Sequence, residues 1–182
     1  MVRGRPGLTG VLLVGGASRR FGSPKALARF GAETLAERAH RLLFDACEEV
    51  LVMGKQADAP ALPFPVHDDG SETRAAIVGV AAGLRLAAHD LCVVVPTDMP
   101  WLTRELLLGL AEAAAGYDVA VPQTGPLPGA YRRSALPVLE RRVAAGELAL
   151  RAALRELRTR VVEADEALLG NVNVPEDLVR TR

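Results

Sequence analysis

VLLVGGASRRFGSPKAL, residues 11–27, couples an apolar run to a loop of a very different kind. The run stops at Gly15 and Gly16, as a buried strand does when it enters a tight turn. Arginines, a further glycine and one lysine follow within ten residues. Lysine is rare in this chain: of 22 basic residues only Lys25 and Lys55 are lysine, and the other 20 are arginine. A lysine inside a glycine-rich turn is therefore not a generic surface charge. Gly15, Gly16 and Gly22 permit sharp turns that aim backbone N–H groups at an anion. Arg20 and Lys25 add charge-assisted bonds to phosphate oxygens. The pattern is neither GxxxxGK[ST] nor GxGxxG, so neither a Walker loop nor a hydride-transfer dinucleotide fold is supported. The competing reading is a basic surface turn, which long strand-to-helix loops seldom are.

Outward from this loop, strands and helices alternate. Residues 8–14 read as the first strand. Residues 34–46 repeat apolar side chains at helical spacing, with Thr34 and Glu37 forming a capping-box pattern. Residues 49–53, 91–95, 118–121 and 160–163 read as strands, residues 66–67 as a short one, and 130–131 as the start of a brief one. Helices are expected at 74–88, 104–115, 134–145 and 148–157, with a last helical turn at 175–179. Thr103 is the expected cap of the third. This alternation predicts a three-layer α/β sandwich: a Rossmann-like, mostly parallel sheet with helices on both faces. Right-handed crossovers then bring the strand-to-helix loops to one edge of the sheet.

Composition narrows the function. At 182 residues and 49 % apolar, the chain is expected to form a single domain over 1–182 with a sizeable core. Acidic and basic residues balance at 22 each, which gives no surface for nucleic acid or membrane. No run of signal-peptide or spanning length occurs, so a cytoplasmic location is expected. Cys47 and Cys92, far apart in apolar contexts, are expected to be buried thiols. Aromatic residues are only 4 %, so the core must be aliphatic.

Three further groups carry polar chemistry. PTDMP, residues 96–100, follows the clearest central strand and sets Asp98 at its carboxyl end. A carboxylate beside phosphates suits Mg²⁺, which takes one or two carboxylates and phosphate or water oxygens; the alternative is a cap for the next helix. LLGNVNVPEDL, residues 168–178, holds both asparagines of the chain. In extended backbone Asn171 and Asn173 face one side and could hold a polar ligand; an Asx turn before the last helix is the other reading. Asp69 can accept from the N1 and N2 donors of guanine. Gly79 and Gly83, four apart on one helix face, leave room for a flat base or for another backbone. The histidines have no metal-ligand spacing with either cysteine, and no Ser–His–Asp or Cys–His arrangement is legible.

LVGGASRRFGSPKAL resembles the signature loop of nucleotidyltransferases acting on the molybdenum cofactor, and of the guanylyltransferase (MobA) family in particular. The resemblance extends to PTDMP, AYRRSALPVLE from Ala130, AAGELALRAAL from Ala144 and GNVNVPEDL. The doubled glycine is similar to the guanylyl enzymes. Cytidylyl-transferring relatives tend to carry alanine before a single glycine. Residues 171–177 resemble the family's NxNTPxD segment, with Val174 in place of threonine. Where the family has a GPLAG-like run, this chain has VGVAAG at 78–83. The resemblance implies GMP transfer from Mg²⁺-GTP to molybdopterin with release of pyrophosphate. Lys25, Arg20 and Asp98 would be the catalytic set, and Asp98 the Mg²⁺ ligand. Leu13, Gly15, Gly16, Gly22, Lys25, Asp69, Gly79 and Gly83 would bind the nucleotide, and Asn171 and Asn173 the molybdopterin. Residues up to about 121 would form the nucleotide half and 122–182 the second-substrate half. Handover of the finished cofactor to or from maturation proteins would follow. The alternatives are a cytidylyl or sugar-phosphate nucleotidyltransferase, or a nucleotide-binding regulatory protein without catalysis.

Overall fold

The structure is a computed structural model that describes residues 4–15, 24–58 and 61–179. Its strands are β1 (Arg5–Val14), β2 (Arg29–Phe30), β3 (Glu33–Thr34), β4 (Cys47–Gly54), β5 (His67–Asp68), β6 (Leu91–Pro96), β7 (Val119–Pro122), β8 (Gly129–Arg132) and β9 (Thr159–Val162). Its α-helices are α1 (Leu35–Ala46), α2 (Ala76–Leu86), α3 (Arg104–Ala113), α4 (Leu136–Ala144) and α5 (Leu150–Ala153). Seven strands form one sheet in the order β5-β4-β1-β6-β8-β7-β9. All run parallel except β8, which is antiparallel to both neighbours. The expected three-layer, mostly parallel α/β sandwich is the fold of this chain.

The alternation of β1 decides the layers. Val11 and Leu13 enter a core with α2, α4 and α5 on one face of the sheet, while Leu8, Leu12 and Val14 enter a second core with α1 and α3 on the other. A strand flanked on both sides by parallel neighbours and covered on both faces must be apolar throughout, as residues 11–14 are. The predicted capping box opens α1: Glu37 N–H donates to Thr34 Oγ1 at 3.2 Å, and Thr34 N–H to Glu37 Oε2 at 2.7 Å. Thr103 caps α3 by accepting from Leu106 N–H. Cys47 and Cys92 are free and buried. Among the described residues no helix is long and apolar enough to cross a membrane.

Two expectations need correction. The helix predicted over 148–157 is an α-helix only over Leu150–Ala153. Beyond it Arg155 N–H and Glu156 N–H bond three residues back, a tightened turn rather than an α-helix. Arg141 and Arg142 of α4 hold the Glu156 carboxylate there, as the chain turns toward β9. The brief strand at 130–131 is instead a complete interior strand. β8 pairs Val93 with Ala130 and Val119 with Tyr131, and Tyr131 is fully buried with its hydroxyl donating to Pro126 O at 2.6 Å. The β2–β3 hairpin was not anticipated; it turns at Gly31, whose φ is +65°.

Candidate functional site

Sheet register collects the polar residues. Val14, Gly54 and Asp68 pair across β1, β4 and β5. Gly15, Lys55 and Asp69 are therefore the first residues beyond the same rung. Leu13 pairs with Pro96, so Gly15 and Asp98 lie equally far beyond that rung. The carboxyl edge thus presents, in spatial order, Asp69, Lys55, Gly15 and Asp98. Neighbouring strands lie about 5 Å apart, so the row spans about 15 Å.

Asp98 is held by three elements. Lys25 Nζ donates to Asp98 Oδ2 at 3.1 Å, and both side chains keep partial access to solvent. Val172 N–H donates to the Asp98 carbonyl at 2.8 Å. Just before it, Thr97 is buried and its hydroxyl donates to Leu13 O at 3.3 Å, fixing the 96–100 turn to β1. The turn is braced below by Arg38, whose Nε donates to Pro100 O at 2.5 Å and whose guanidinium lies 5.1 Å from the Phe30 ring centroid. Phe30 in turn meets Trp101 edge-on at 5.8 Å. The unanticipated hairpin therefore serves as a support for this turn.

The bond from Val172 places the asparagine segment beside Asp98. Val172 is fully buried, while Asn171 and Asn173 on either side of it are exposed, as extended backbone requires. Asp177 Oδ2 accepts from the N–H groups of Asn173 (2.8 Å) and Val174 (3.1 Å). That contact uses the Val174 backbone and needs no side-chain hydroxyl. Gly170 packs on Trp101: a Cβ there would lie 3.1 Å from the ring.

At the other end of the row, Asp69 is bound from its own loop and from β4. Lys55 Nζ donates to Asp69 Oδ1 at 2.5 Å and also to the Ser71 carbonyl, and Ser71 N–H donates to the same Oδ1 at 3.1 Å. Asp68 shapes the turn by accepting from Gln56 and Gly70 N–H, which hold its carboxyl below the usual range, the Gln56 bond most. Asp69 and Ser71 also line a cavity of about 320 Å³ that runs between α2 and α4, past Val78 and Ala81 to Arg85 and Glu140. Gly79 and Gly83 are not among its walls. A Cβ on Gly79 would lie 2.9 Å from Leu13 Cδ2, and one on Gly83 2.7 Å from Val11 Cγ1. Of the two features expected of these glycines, the structure shows the close packing, against β1.

Sequence reasoning joined Lys25, Gly15, Asp98 and the asparagine segment, and the structure gathers them on one edge. It overlooked Lys55 and Trp101, although the rarity of lysine was a signal for the first. Gly16, Arg20 and Gly22 lie outside the described residues. Among the described residues there is no cluster of three or more His, Cys, Asp or Glu side chains able to hold a metal. Asp98 alone fits an ion whose remaining ligands are substrate oxygens and water.

A covered, mostly parallel sheet with a glycine-rich first loop and an acidic turn after its central strand defines a Rossmann-like nucleotidyltransferase fold. Residues 10–162 match the model of the MobA-like NTP transferase domain, and the chain belongs to that family. A probable molybdenum cofactor guanylyltransferase of Chloroflexus aggregans is 35 % identical, over 94 % of this chain and 91 % of its own length. One from Pelotomaculum thermopropionicum is 33 % identical, over 96 % and 91 %. The crystal structure of molybdopterin-guanine dinucleotide biosynthesis protein A from Archaeoglobus fulgidus superposes with a TM-score of 0.79 at 26 % identity, covering 94 % of this chain and 95 % of that one.

Proposed function

We propose that this protein transfers GMP from Mg²⁺-GTP to molybdopterin, releasing pyrophosphate and forming the guanine dinucleotide cofactor. The observation that carries this reading is the row Asp69, Lys55, Gly15, Asp98 along the carboxyl edge, with the asparagine segment tied to its Asp98 end. A nucleoside triphosphate fits that row with its base at Asp69, its phosphates over the loop begun by Gly15, and its reacting end beside Asp98. The second substrate then approaches from Asn171 and Asn173. The two halves of the chain, up to about 121 and from 122 on, serve the two substrates. The guanylyltransferase names of the relatives support the choice of nucleotide and acceptor.

A terminal phosphate oxygen of molybdopterin attacks the α-phosphorus in line. The new O–P bond forms as the bond from the α-phosphorus to the bridging oxygen breaks, and pyrophosphate carries off the electron pair. The attacking oxygen is already largely ionised near neutral pH, so no protein base is needed. Asp98 is the residue that would hold Mg²⁺, which supplies charge neutralisation on the triphosphate. Lys25, oriented by its bond to Asp98, neutralises charge that grows on the transferred group, and Arg20 is assigned the same task. Asn171 and Asn173 orient the acceptor. A cytoplasmic setting, with handover to maturation proteins, belongs to the same proposal; the two unpaired buried thiols support it.

The test is to incubate the protein with molybdopterin, Mg²⁺ and each of the four NTPs in turn, following pyrophosphate release and the dinucleotide product. GTP is expected to support turnover. Preferential use of CTP, or GTP binding without product, refutes the assignment.

A further inference from the structure

We propose that Lys55 reads the 6-oxo group of the base and, with Asp69, turns away adenine and cytosine nucleotides. The inference rests on the nucleotidyl-transfer reading above and adds to it the residue that sets the base class. Lys55 and Asp69 stand side by side one residue beyond the rung that also positions Gly15. Their side chains are 16 % and 8 % exposed, so an ammonium and a carboxylate have been largely withdrawn from water at a place where the sheet edge opens. The pairing is incomplete on both sides. Asp69 Oδ1 accepts from Lys55 Nζ and Ser71 N–H, whereas among the described residues nothing donates to Oδ2. Lys55 has three N–H donors, and those residues use them on Asp69 Oδ1 and the Ser71 carbonyl. Oδ2 is not among the buried unpartnered atoms of the described residues, so it faces the open sheet edge, where a ligand donor can reach it.

What remains is a donor next to an acceptor. The matching base edge carries a carbonyl next to a ring N–H, as O6 and N1–H of guanine or hypoxanthine and O4 and N3–H of uracil do; guanine alone adds a second donor, N2–H, on the carboxylate side. Lys55 donates to O6, and Asp69 Oδ2 accepts from N1–H and, in guanine, from N2–H. Adenine and cytosine present the reverse order, an amino donor beside a bare ring nitrogen. Each would set donor against ammonium and lone pair against carboxylate.

The test compares dissociation constants of Mg²⁺ complexes of GTP, ITP and 6-thio-GTP for the wild type, Lys55→Met and Lys55→Arg. Sulfur is a poor hydrogen-bond acceptor, so 6-thio-GTP weakens the O6 contact and keeps N1–H. ITP keeps O6 and N1–H and lacks only the 2-amino group. The wild type is expected to prefer GTP to 6-thio-GTP by about 10-fold to 100-fold, the effect of a hydrogen bond to a charged donor. Lys55→Met should bring that ratio close to one while leaving the GTP-to-ITP ratio unchanged, and Lys55→Arg should keep both ratios. If Lys55→Met weakens GTP and 6-thio-GTP equally, Lys55 merely braces the loop and the proposal is overturned, with guanylyl transfer left standing. A wild type that binds CTP more tightly than any 6-oxopurine triphosphate overturns the guanylyl reading itself, and this inference with it.

Discussion

Replacing Gly83 by alanine separates a packing role from a ligand role. The new Cβ would sit 2.7 Å from Val11 Cγ1 and 3.1 Å from Cγ2, against ordinary contacts of 3.4–4 Å. Val11 cannot yield easily. It is fully buried, β-branched, and held on β1 between β4 and β6. Overpacking of this kind costs about 1–3 kcal/mol, and two close methyls on a rigid strand argue for the upper end. Alanine recovers about 1 kcal/mol of helix propensity within α2. The net loss is about 2 kcal/mol, a fall in Tm of about 4–8 °C for a chain of this size. Gly79→Ala is the internal control. Its contact is with Leu13 Cδ2, a terminal methyl 2.9 Å away that can rotate aside, so clash and propensity nearly cancel. Calorimetric melts of both variants and GTP binding well below the transition make the assay. The expected pattern is a large Tm drop for Gly83→Ala, little for Gly79→Ala, and unchanged nucleotide affinity in both. Unchanged Tm with lost GTP binding would refute the packing argument and return the glycines to the base pocket.

Lys25→Ala should reduce kcat for pyrophosphate release by about 10²-fold or more while GTP affinity changes little, because its charge is used most as the transferred group gains charge; an unchanged kcat with a raised KM would contradict this. Asp118 accepts from the Arg158 side chain at 2.8 and 3.2 Å, from Ser134 Oγ at 2.7 Å and from Arg158 N–H at 3.0 Å. These bonds, the Arg158 side chain foremost, hold its carboxyl well below the usual carboxylate range. A depressed folded pKa gives stability that is complete above the unfolded value, near 4, and is lost as pH falls through the folded one. Asp118→Asn should therefore cost about 1 kcal/mol at pH 7, Arg158 being exposed, and flatten the loss of stability below about pH 4 in denaturant titrations. Burial pushes the Cys47 and Cys92 thiols up to about 12, so neither should react with a thiol reagent at pH 8 until the protein is unfolded; rapid labelling of the native protein would contradict their burial.

The layers were legible because β1, β4 and β6 are apolar runs of the length buried parallel strands need, and because each helix has an apolar face of its own. β8 was only half legible. Its residues GAYR include one large apolar side chain, and its place between β6 and β7 comes from a long-range pairing that no local pattern encodes. The two-residue strands of the hairpin are too short for any periodicity. At the site, Lys25 and Asp98 could be joined in advance because each follows an unmistakable strand end. Lys55 also follows one directly, but its partner Asp69 lies beyond a proline-rich loop and only the β4–β5 pairing brings them level. The two glycines of α2 carried two readings for a related reason. A glycine marks close approach without naming what approaches, and here it is the protein's own β1.

Trp101 is the chain's one tryptophan, and its ring lies under Gly170 at the start of the asparagine segment. Its intrinsic emission is thus an unlabelled optical readout of that segment. A shift in wavelength or quenching on adding an acceptor would time the arrival of the second substrate separately from the first, within one stopped-flow trace.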